Sequence, residues 1–403
     1  MRRLRELGRK ALVPVLSVIT ALILGGVVIV LTDLQNLALL TTDPIGAILG
    51  ALGGVARGYG AMLAGAFGDP ARVGPALQSG NPRDLAAAIR PITETLVAAT
   101  PLIFAGLAVA ISFRAGMFNI GGDGQLMIGA MGATITVLAL AGQLPAFAIL
   151  LIGLAAGTLS GGLWGFIPGF LKARTGAHEV ITTIMLNYIA AQVVFFALRS
   201  TFLRAPGSTS PVSKNLTPIA DVPLLIPLPS IRLDFGFIVA LLMAVVVSWL
   251  LFRTTLGFEL RAAGFNLTAA RYAGMSAGGS MILAMTLSGA LAGLGGSFMV
   301  LGTVGQLSLD LSGGIGFTAI ALALLASLRP SGVVLAGLLF GALTNGGKLM
   351  GIQSGIPFDL LSFIMALVIM FVAAPGLIRS IWRVRVTKPV PEVAATSQPT
   401  GTV

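Results

Sequence analysis

Apolar runs of roughly twenty residues recur along this chain, and their interiors are almost free of charge. A bilayer hydrocarbon core about 30 Å thick needs about 20 helical residues per crossing. Ten segments qualify: residues 11–31, 94–113, 125–141, 145–171, 179–199, 235–252, 277–302, 315–328, 331–350 and 357–378. Some are rich in Gly, and a broken helix is tolerated in a membrane where it is buried in protein or lines a cavity. The expectation is therefore an all-α, polytopic membrane protein with eight to ten transmembrane helices. Charged residues are 10% of the 403, against about 25% in soluble domains, so no ordinary polar surface can be built. An apolar content of 56% excludes disorder as well. The 53 glycines suit close helix approach in lipid.

What the chain lacks narrows its chemistry. With no Cys, there is no thiol catalysis, disulfide or Cys-ligated metal. The one His, His178, leaves little material for a His-rich metal site or a Ser-His-Asp triad. Neither HExxH nor GxSxG occurs, so a membrane enzyme lacks its clustered catalytic groups. Ion-coupled transporters keep ionisable groups inside the membrane. Here Glu94, Asp123, Glu179, Asp310, Lys348 and Asp359 fall at span ends or in bends. A phosphate-cradling loop is also missing. The nearest string, Gly346-Gly347-Lys348-Leu349, lacks the hydroxyl after Lys. Catalytic, cofactor and metal residues are expected to be absent, and any ATPase that drives the protein is a separate chain.

The organisation follows from charge and breakers. Residues 1–10, MRRLRELGRK, are a basic start. The apolar run behind them is longer than a signal-peptide core and no A-x-A site follows, so an uncleaved anchor is expected. The transmembrane domain is read as 11–378, with outer loops at about 32–93 and 200–234 and a cytoplasmic loop at about 253–276. Residues 379–403 read as a basic cytoplasmic segment and a disordered Pro/Thr-rich tail. On this layout the inner segments carry 16 Lys and Arg and the outer ones 9. The positive-inside rule then puts both termini in the cytoplasm.

Residues 253–276, RTTLGFELRAAGFNLTAARYAGMS, are too polar for a span and too long for a tight turn. Ala262, Ala263, Asn266, Ala269, Ala270 and Ala273 recur at helical spacing, flanked by Glu259, Arg261 and Arg271 and punctuated by Gly257, Gly264 and Gly274. A small-residue face with charged edges fits a groove on a partner protein. An interfacial helix using Ala for its propensity is the other reading.

This segment resembles the coupling loop of bacterial binding-protein-dependent ABC importer permeases, the family serving branched-chain amino acids, simple sugars and nucleosides. FRAGMFNIGGDGQLMIGAMGA (113–133) and GFIPGFLKARTGAHEVITTIMLNYIAA (165–191) are similar to its nucleoside and simple-sugar branch. The resemblance spans about 43–378. Two departures stand out: His178 where relatives commonly have Asn, and Asp123 where they often have Glu. The resemblance implies a type II-like permease in the bacterial plasma membrane that pairs with a second permease subunit and binds no nucleic acid. It also implies that a separate ATPase docks at Glu259, Arg261, Ala262, Gly264, Asn266, Ala269, Ala270 and Gly274. An extracytoplasmic binding protein or lipoprotein would deliver a small polar solute, with a nucleoside favoured over a simple sugar or branched-chain amino acid.

Candidate pathway residues are Asn119, Asp123, Gln125, Thr183, Asn187 and Gln306. Three glycines within 121–124 cannot sustain a helix. Residues 118–125 therefore either re-enter the membrane core, as the resemblance implies, or make a tight turn capped by Asn119 and Asp123. Thr183 and Asn187 share a helix face. Asn187 suits sugar hydroxyls or base edges, and equally an interhelical hydrogen bond. Gln306, Ser308, Asp310 and Ser312 lie in a Gly-punctuated bend, where Asp310 and Ser312 could cap the next helix. Ser288, Gly289, Gly293, Gly295 and Gly296 read as a packing seam.

Overall fold

The computed structural model describes residues 2–383. In chain order the helices are α1 (Arg2–Thr32), α2 (Leu34–Ala38), α3 (Pro44–Phe67), α4 (Pro70–Ser79), α5 (Pro82–Arg114), α6 (Gly122–Leu140), α7 (Ala146–Thr175) and α8 (Glu179–Leu198). There follow α9 (Gly236–Arg253), α10 (Thr255–Phe265), α11 (Leu267–Tyr272), α12 (Ala277–Phe298), α13 (Ile315–Leu325), α14 (Pro330–Ser354), α15 (Phe358–Ala373) and α16 (Pro375–Ile381). Among the described residues only isolated β-bridges interrupt this all-α pattern. Among the described residues nine helices are long and apolar enough to cross a membrane, or ten if α15 and α16, bent by 91°, are one span. Of the expected tail, residues 384–403 lie outside the described residues.

The number of crossings agrees with expectation, but the membership differs in two places. Residues 32–93 are not a loop: α3 is a 24-residue helix with crossing capacity, followed by α4 and the first turns of α5. Asp43 starts α3 by accepting from the Gly46 amide at 2.9 Å, with Pro44 at the first helical position. Conversely, residues 315–328 are no full span. Helix α13 has 11 residues, which at 1.5 Å per residue is about 16 Å, half a hydrocarbon core.

The core is built around α5. Phe104 stacks on Phe298 of α12 with ring centroids 5.6 Å apart, and Ile103, Leu107 and Phe340 are fully buried beside them. The expected seam exists between α7 and α12: a β-carbon on Gly161, Gly165, Gly289 or Gly293 would overlap the facing backbone. Deleting the side chains lets the backbones touch, and dispersion between the helices replaces contact with lipid tails. Gly295 and Gly296 serve the same end against Phe104 and Leu126.

Two opposite ends can be told apart by contacts. At one, α10 lies against the end of α5 and α11 packs on α10 and α12; there Arg114 donates to the Leu328 and Ser327 carbonyls that follow α13. At the other, residues 200–234 run as the irregular segment their prolines demand and strap onto residues 301–308. Leu216 N donates to Gly305 O at 2.9 Å, Ser213 N to Leu307 O at 2.9 Å and Val222 N to Leu301 O at 3.2 Å. Under this strap α12 ends in a π-helical turn, Met299–Thr303.

Candidate functional site

The Gly-rich break between α5 and α6 folds back into the bundle. Asn119 is fully buried, and its Nδ2 donates to Ser288 Oγ at 2.8 Å; Ser288 Oγ donates to Ala108 O at 2.7 Å. Ala108 lies six residues back from Arg114, or about 9 Å along the helix. The chain therefore turns at Gly116, where φ is +73°, and climbs alongside α5 before α6 begins. The re-entrant reading of residues 118–125 describes this path, and the tight-turn reading does not.

Five of the six candidate pathway residues gather on that climb. Asn119 Nδ2 also donates to Gln125 Oε1 at 2.9 Å, while Asn119 Oδ1 accepts from Gly121 N at 2.9 Å and Gln125 Nε2 at 3.2 Å. Thr183 Oγ1 accepts from Ile120 N at 3.3 Å and donates to Glu179 O at 2.7 Å. Asn187 grips the break from α8: its Oδ1 accepts from Gly124 N at 2.9 Å and its Nδ2 donates to Ile120 O at 2.9 Å. A backbone with no helix of its own at this depth needs such partners, because lipid supplies none. Asp123 Oδ1 accepts from Gly316 N at 2.9 Å. Its carboxyl faces the first turns of both α6 and α13. Asp310 and Ser312 do not cap α13; no side-chain cap is present at its Gly314 N-cap, and Asp123 of another helix fills that role.

Gln306 stands apart from the other five, in the strapped segment at the far end. Ser288, read as a seam residue, belongs to the Asn119 network instead. Its only sequence signal was one hydroxyl amid Gly and Ala. Lys172 pairs with Glu179 at 2.8 Å and holds the α7–α8 corner. The cluster offers amides, hydroxyls and one carboxylate, all engaged with protein. It can shape a polar passage wall but places no nucleophile and base in catalytic register.

At the opposite end from the strap, the residues read as one helical face fall on two helices. Asn266 breaks the helix with extended dihedrals and caps α11, its Oδ1 accepting from the Thr268 and Ala269 amides at 3.0 Å each. Ala263 and Ala270 turn inward and are buried, Ala262 is half-buried, and Ala269 and Gly274 are exposed. Gly264 packs directly on the backbone of residues 114–116. Arg261 lies over the Phe252 ring at 5.2 Å, beside Arg114 at 5.6 Å on the same ring. The outward surface is instead aromatic: Phe265 is 95% and Tyr272 90% exposed, with Phe258, Glu259 and Arg271 nearby. Sequence reading followed the small residues and missed these two rings, which sit seven apart.

Residues 92–373 match the family described as the permease component of the branched-chain amino acid transport system. The chain belongs to that family. This permease is 40% identical to the guanosine ABC transporter permease protein NupP of Bacillus subtilis over 327 residues, covering 81% of this chain and 87% of the relative. It is 35% identical to the glucose ABC transporter permease protein TsgB13 of Haloferax volcanii, covering 89% and 86%. It is also 35% identical to the nucleoside ABC transporter permease protein NupB of Lactococcus lactis, covering 72% and 80%. No solved structure matches the permease. The likeness to the nucleoside and simple-sugar branch, first read from residues 113–133 and 165–191, therefore extends over most of the chain.

Proposed function

We propose that this permease carries a nucleoside across the plasma membrane of a prokaryotic cell as one wall of an ATP-driven importer. The observation that carries the reading is the 40% identity to a guanosine permease across 81% of the chain. ATP is bound and hydrolysed by a separate ATPase subunit; this chain holds no cofactor and does no chemistry. The α10–α11 pair faces the cytoplasm and receives the ATPase, with Phe265 and Tyr272 as the aromatic anchors that dominate such interfaces. A second permease subunit completes the pathway. An extracytoplasmic binding protein or lipoprotein docks at the opposite end, over the strap formed by residues 200–234.

The break carrying Asn119 joins the two ends mechanically. Gly264 of α10 touches residues 114–116, and the same chain leads within a few residues to Asn119, Gly122 and the start of α13. A push on α10 is thus delivered to the point where two helix N-termini meet mid-membrane. Movement there changes access to the pathway from either side, which is what alternating access requires. A mainly neutral polar lining suits a nucleoside better than a zwitterionic amino acid.

Glucose is the second reading, because the glucose permease relative covers a still larger share of the chain. Uptake of labelled guanosine, adenosine, ribose, glucose and leucine in cells with and without the gene separates them. Selective loss of guanosine or adenosine uptake is expected. Selective loss of glucose uptake moves the assignment to sugars, and loss of leucine uptake alone overturns both.

A further inference from the structure

The polar side chains of α8 divide between two faces. Thr183 and Asn187 turn towards the break and hold it through Ile120 and Gly124. Tyr188 and Gln192 turn the other way: Tyr188 is 68% exposed, and Gln192 is exposed one turn further on. Four residues apart, they share a face, which Met185 and Phe196 extend by a turn in each direction. Among the described residues neither the Tyr188 hydroxyl nor the Gln192 amide has a hydrogen-bond partner. With Ile189, Val193 and Phe196 they line a groove of about 400 Å³, open along one side.

Depth decides what this face can meet. Helix α8 has 20 residues, which at 1.5 Å each matches a hydrocarbon core of about 30 Å. Tyr188 lies nine residues from its start and ten from its end, about 14 Å from either headgroup layer and too deep for a tyrosine to reach one. Gln192 is six residues from the nearer end. No other exposed side chain bearing nitrogen or oxygen on α6, α7, α8, α9 or α12 lies that far from both ends of its helix. The exposed faces of α7 and α9 are instead aliphatic at depth, with Leu159 and Leu163 on one and Leu242 and Val245 on the other. A donor or acceptor left bare in lipid is costly, so the Tyr188 face meets water or a polar molecule rather than acyl chains.

The five pathway candidates at the break are bonded to protein, which leaves Tyr188 and Gln192 as the free donors and acceptors that α8 offers to a solute. Their chemistry suits a nucleobase. A phenol ring stacks on the flat face of any base, and a carboxamide donates and accepts at once along a base edge. A monosaccharide or an aliphatic amino acid supplies polar groups but no π face for the ring. We propose, resting on the nucleoside reading above, that Tyr188 and Gln192 form the base-contacting surface of the passage, Tyr188 stacking on the nucleobase and Gln192 hydrogen-bonding its edge. The second permease subunit closes the open side of the groove. Because Asn187 ties the adjacent turn of α8 to the break, a shift of the break moves this surface with it.

The test uses the assembled importer in membrane vesicles of both orientations, at equal permease levels. The chain contains no Cys, so Met185→Cys and Gln192→Cys each give it a single thiol, and Leu159→Cys on the aliphatic face of α7 is the control. A charged thiol reagent that cannot cross membranes, scored on the permease, should modify the first two and spare the control. Guanosine should slow both reactions, and ribose neither. Guanosine uptake should fall about fivefold or more in Tyr188→Leu, the lower end of what losing one base–aromatic stack costs, while Tyr188→Phe keeps it. Absence of modification at both α8 thiols means that lipid or the second permease covers this face, and overturns the proposal. So does modification that guanosine leaves unchanged, or full guanosine uptake by Tyr188→Leu. Failure of the nucleoside reading looks different: the unmutated importer then moves no labelled guanosine or adenosine. Protection of the thiols by glucose in place of guanosine would overturn base recognition along with that reading.

Discussion

Replacing Asn187 by Leu separates a clamp from a solute contact. The amide makes two hydrogen bonds to backbone groups of the break, accepting from Gly124 N and donating to Ile120 O, each at 2.9 Å. Leucine fills a similar volume but leaves both backbone groups unpaired. Interhelical hydrogen bonds in membranes average about 0.6 kcal/mol, with a maximum near 1.7. An unpaired buried group costs about 1–3 kcal/mol. Asn187 is half-buried, so the lower ends apply and the expected loss is about 1–3 kcal/mol. Asn187→Asp keeps an acceptor for Gly124 and loses the donor to Ile120, so it should lose about half as much. Two measurements check this: reversible unfolding in mixed micelles, and amide exchange at Gly124, which should accelerate about 5- to 100-fold in the Leu variant. Uptake should fall with the folded fraction. Wild-type stability and wild-type Gly124 protection, with uptake abolished, would refute the clamp and make Asn187 a solute ligand.

Three further outcomes follow from the same geometry. Gly264→Val should accumulate poorly or lose ATP-driven uptake at equal membrane levels, because its β-carbon would overlap the Arg114 carbonyl; normal uptake would show that the α10–α5 contact is dispensable. Phe265→Ala and Tyr272→Ala should each weaken co-purification of the ATPase at least tenfold, the effect of losing an aromatic anchor worth about 1.4 kcal/mol or more, whereas Ala269→Ser should not. Asp234 is 4% exposed; burial pushes its carboxyl up to about 6, the Gly236 N–H works against that, and Asp221, itself shifted upward by burial, adds to it. Because the folded-state value exceeds the usual 3.8, the folded strap binds more protons than the unfolded one. Its anchorage should be strongest at pH 4 and below and weaken as pH rises towards 6–7. Proteolysis within residues 200–234 should accelerate across that window, and Asp234→Asn should flatten the profile; an unchanged slope in the variant would exclude Asp234 as the source.

Helix α3 was hidden by the charged stretch around it and not by its own mean hydropathy, which equals that of α6. It is built of Ala and Gly with one Arg in the middle, PIGAILGALGGVARGYGAMLAGAF, so it lacks the Leu/Ile/Val density of a lipid-exposed span. Its small residues earn their place against protein: Gly65 abuts Gly346 and Leu349, and Gly58 abuts Ile356. Reading residues 32–93 as one outer loop with Asp33, Asp43, Asp69 and Asp84 among its charges passed over a helix held in close contact with α14. At α13 the error runs the other way. Its eleven residues are apolar enough for a span, but periodicity says nothing about where the chain starts in the membrane. Asp123, on α6, sets that start by receiving the Gly316 amide.

The site shows a matching division. The glycines at 121–124 marked a break, which falls at residues 117–121; α6 already starts at Gly122, and the partners that fill the break are polar residues on neighbouring spans. Thr183 and Asn187 stood out on those grounds, while Ser288 did not, since serine among glycines reads as packing. The ambiguity between solute ligand and structural amide could not be resolved from residue type, because both uses demand the same donor and acceptor. Geometry separates them: each end of the Asn187 amide meets a backbone group that a membrane-buried break would otherwise leave bare. If these residues wall the pathway as proposed, the solute would also be met by groups that come free when the clamp shifts. Under the proposed function, the Gly264–Gly116 contact, the place where α10 touches the root of the break, is where movement at the docking end would reach the pathway.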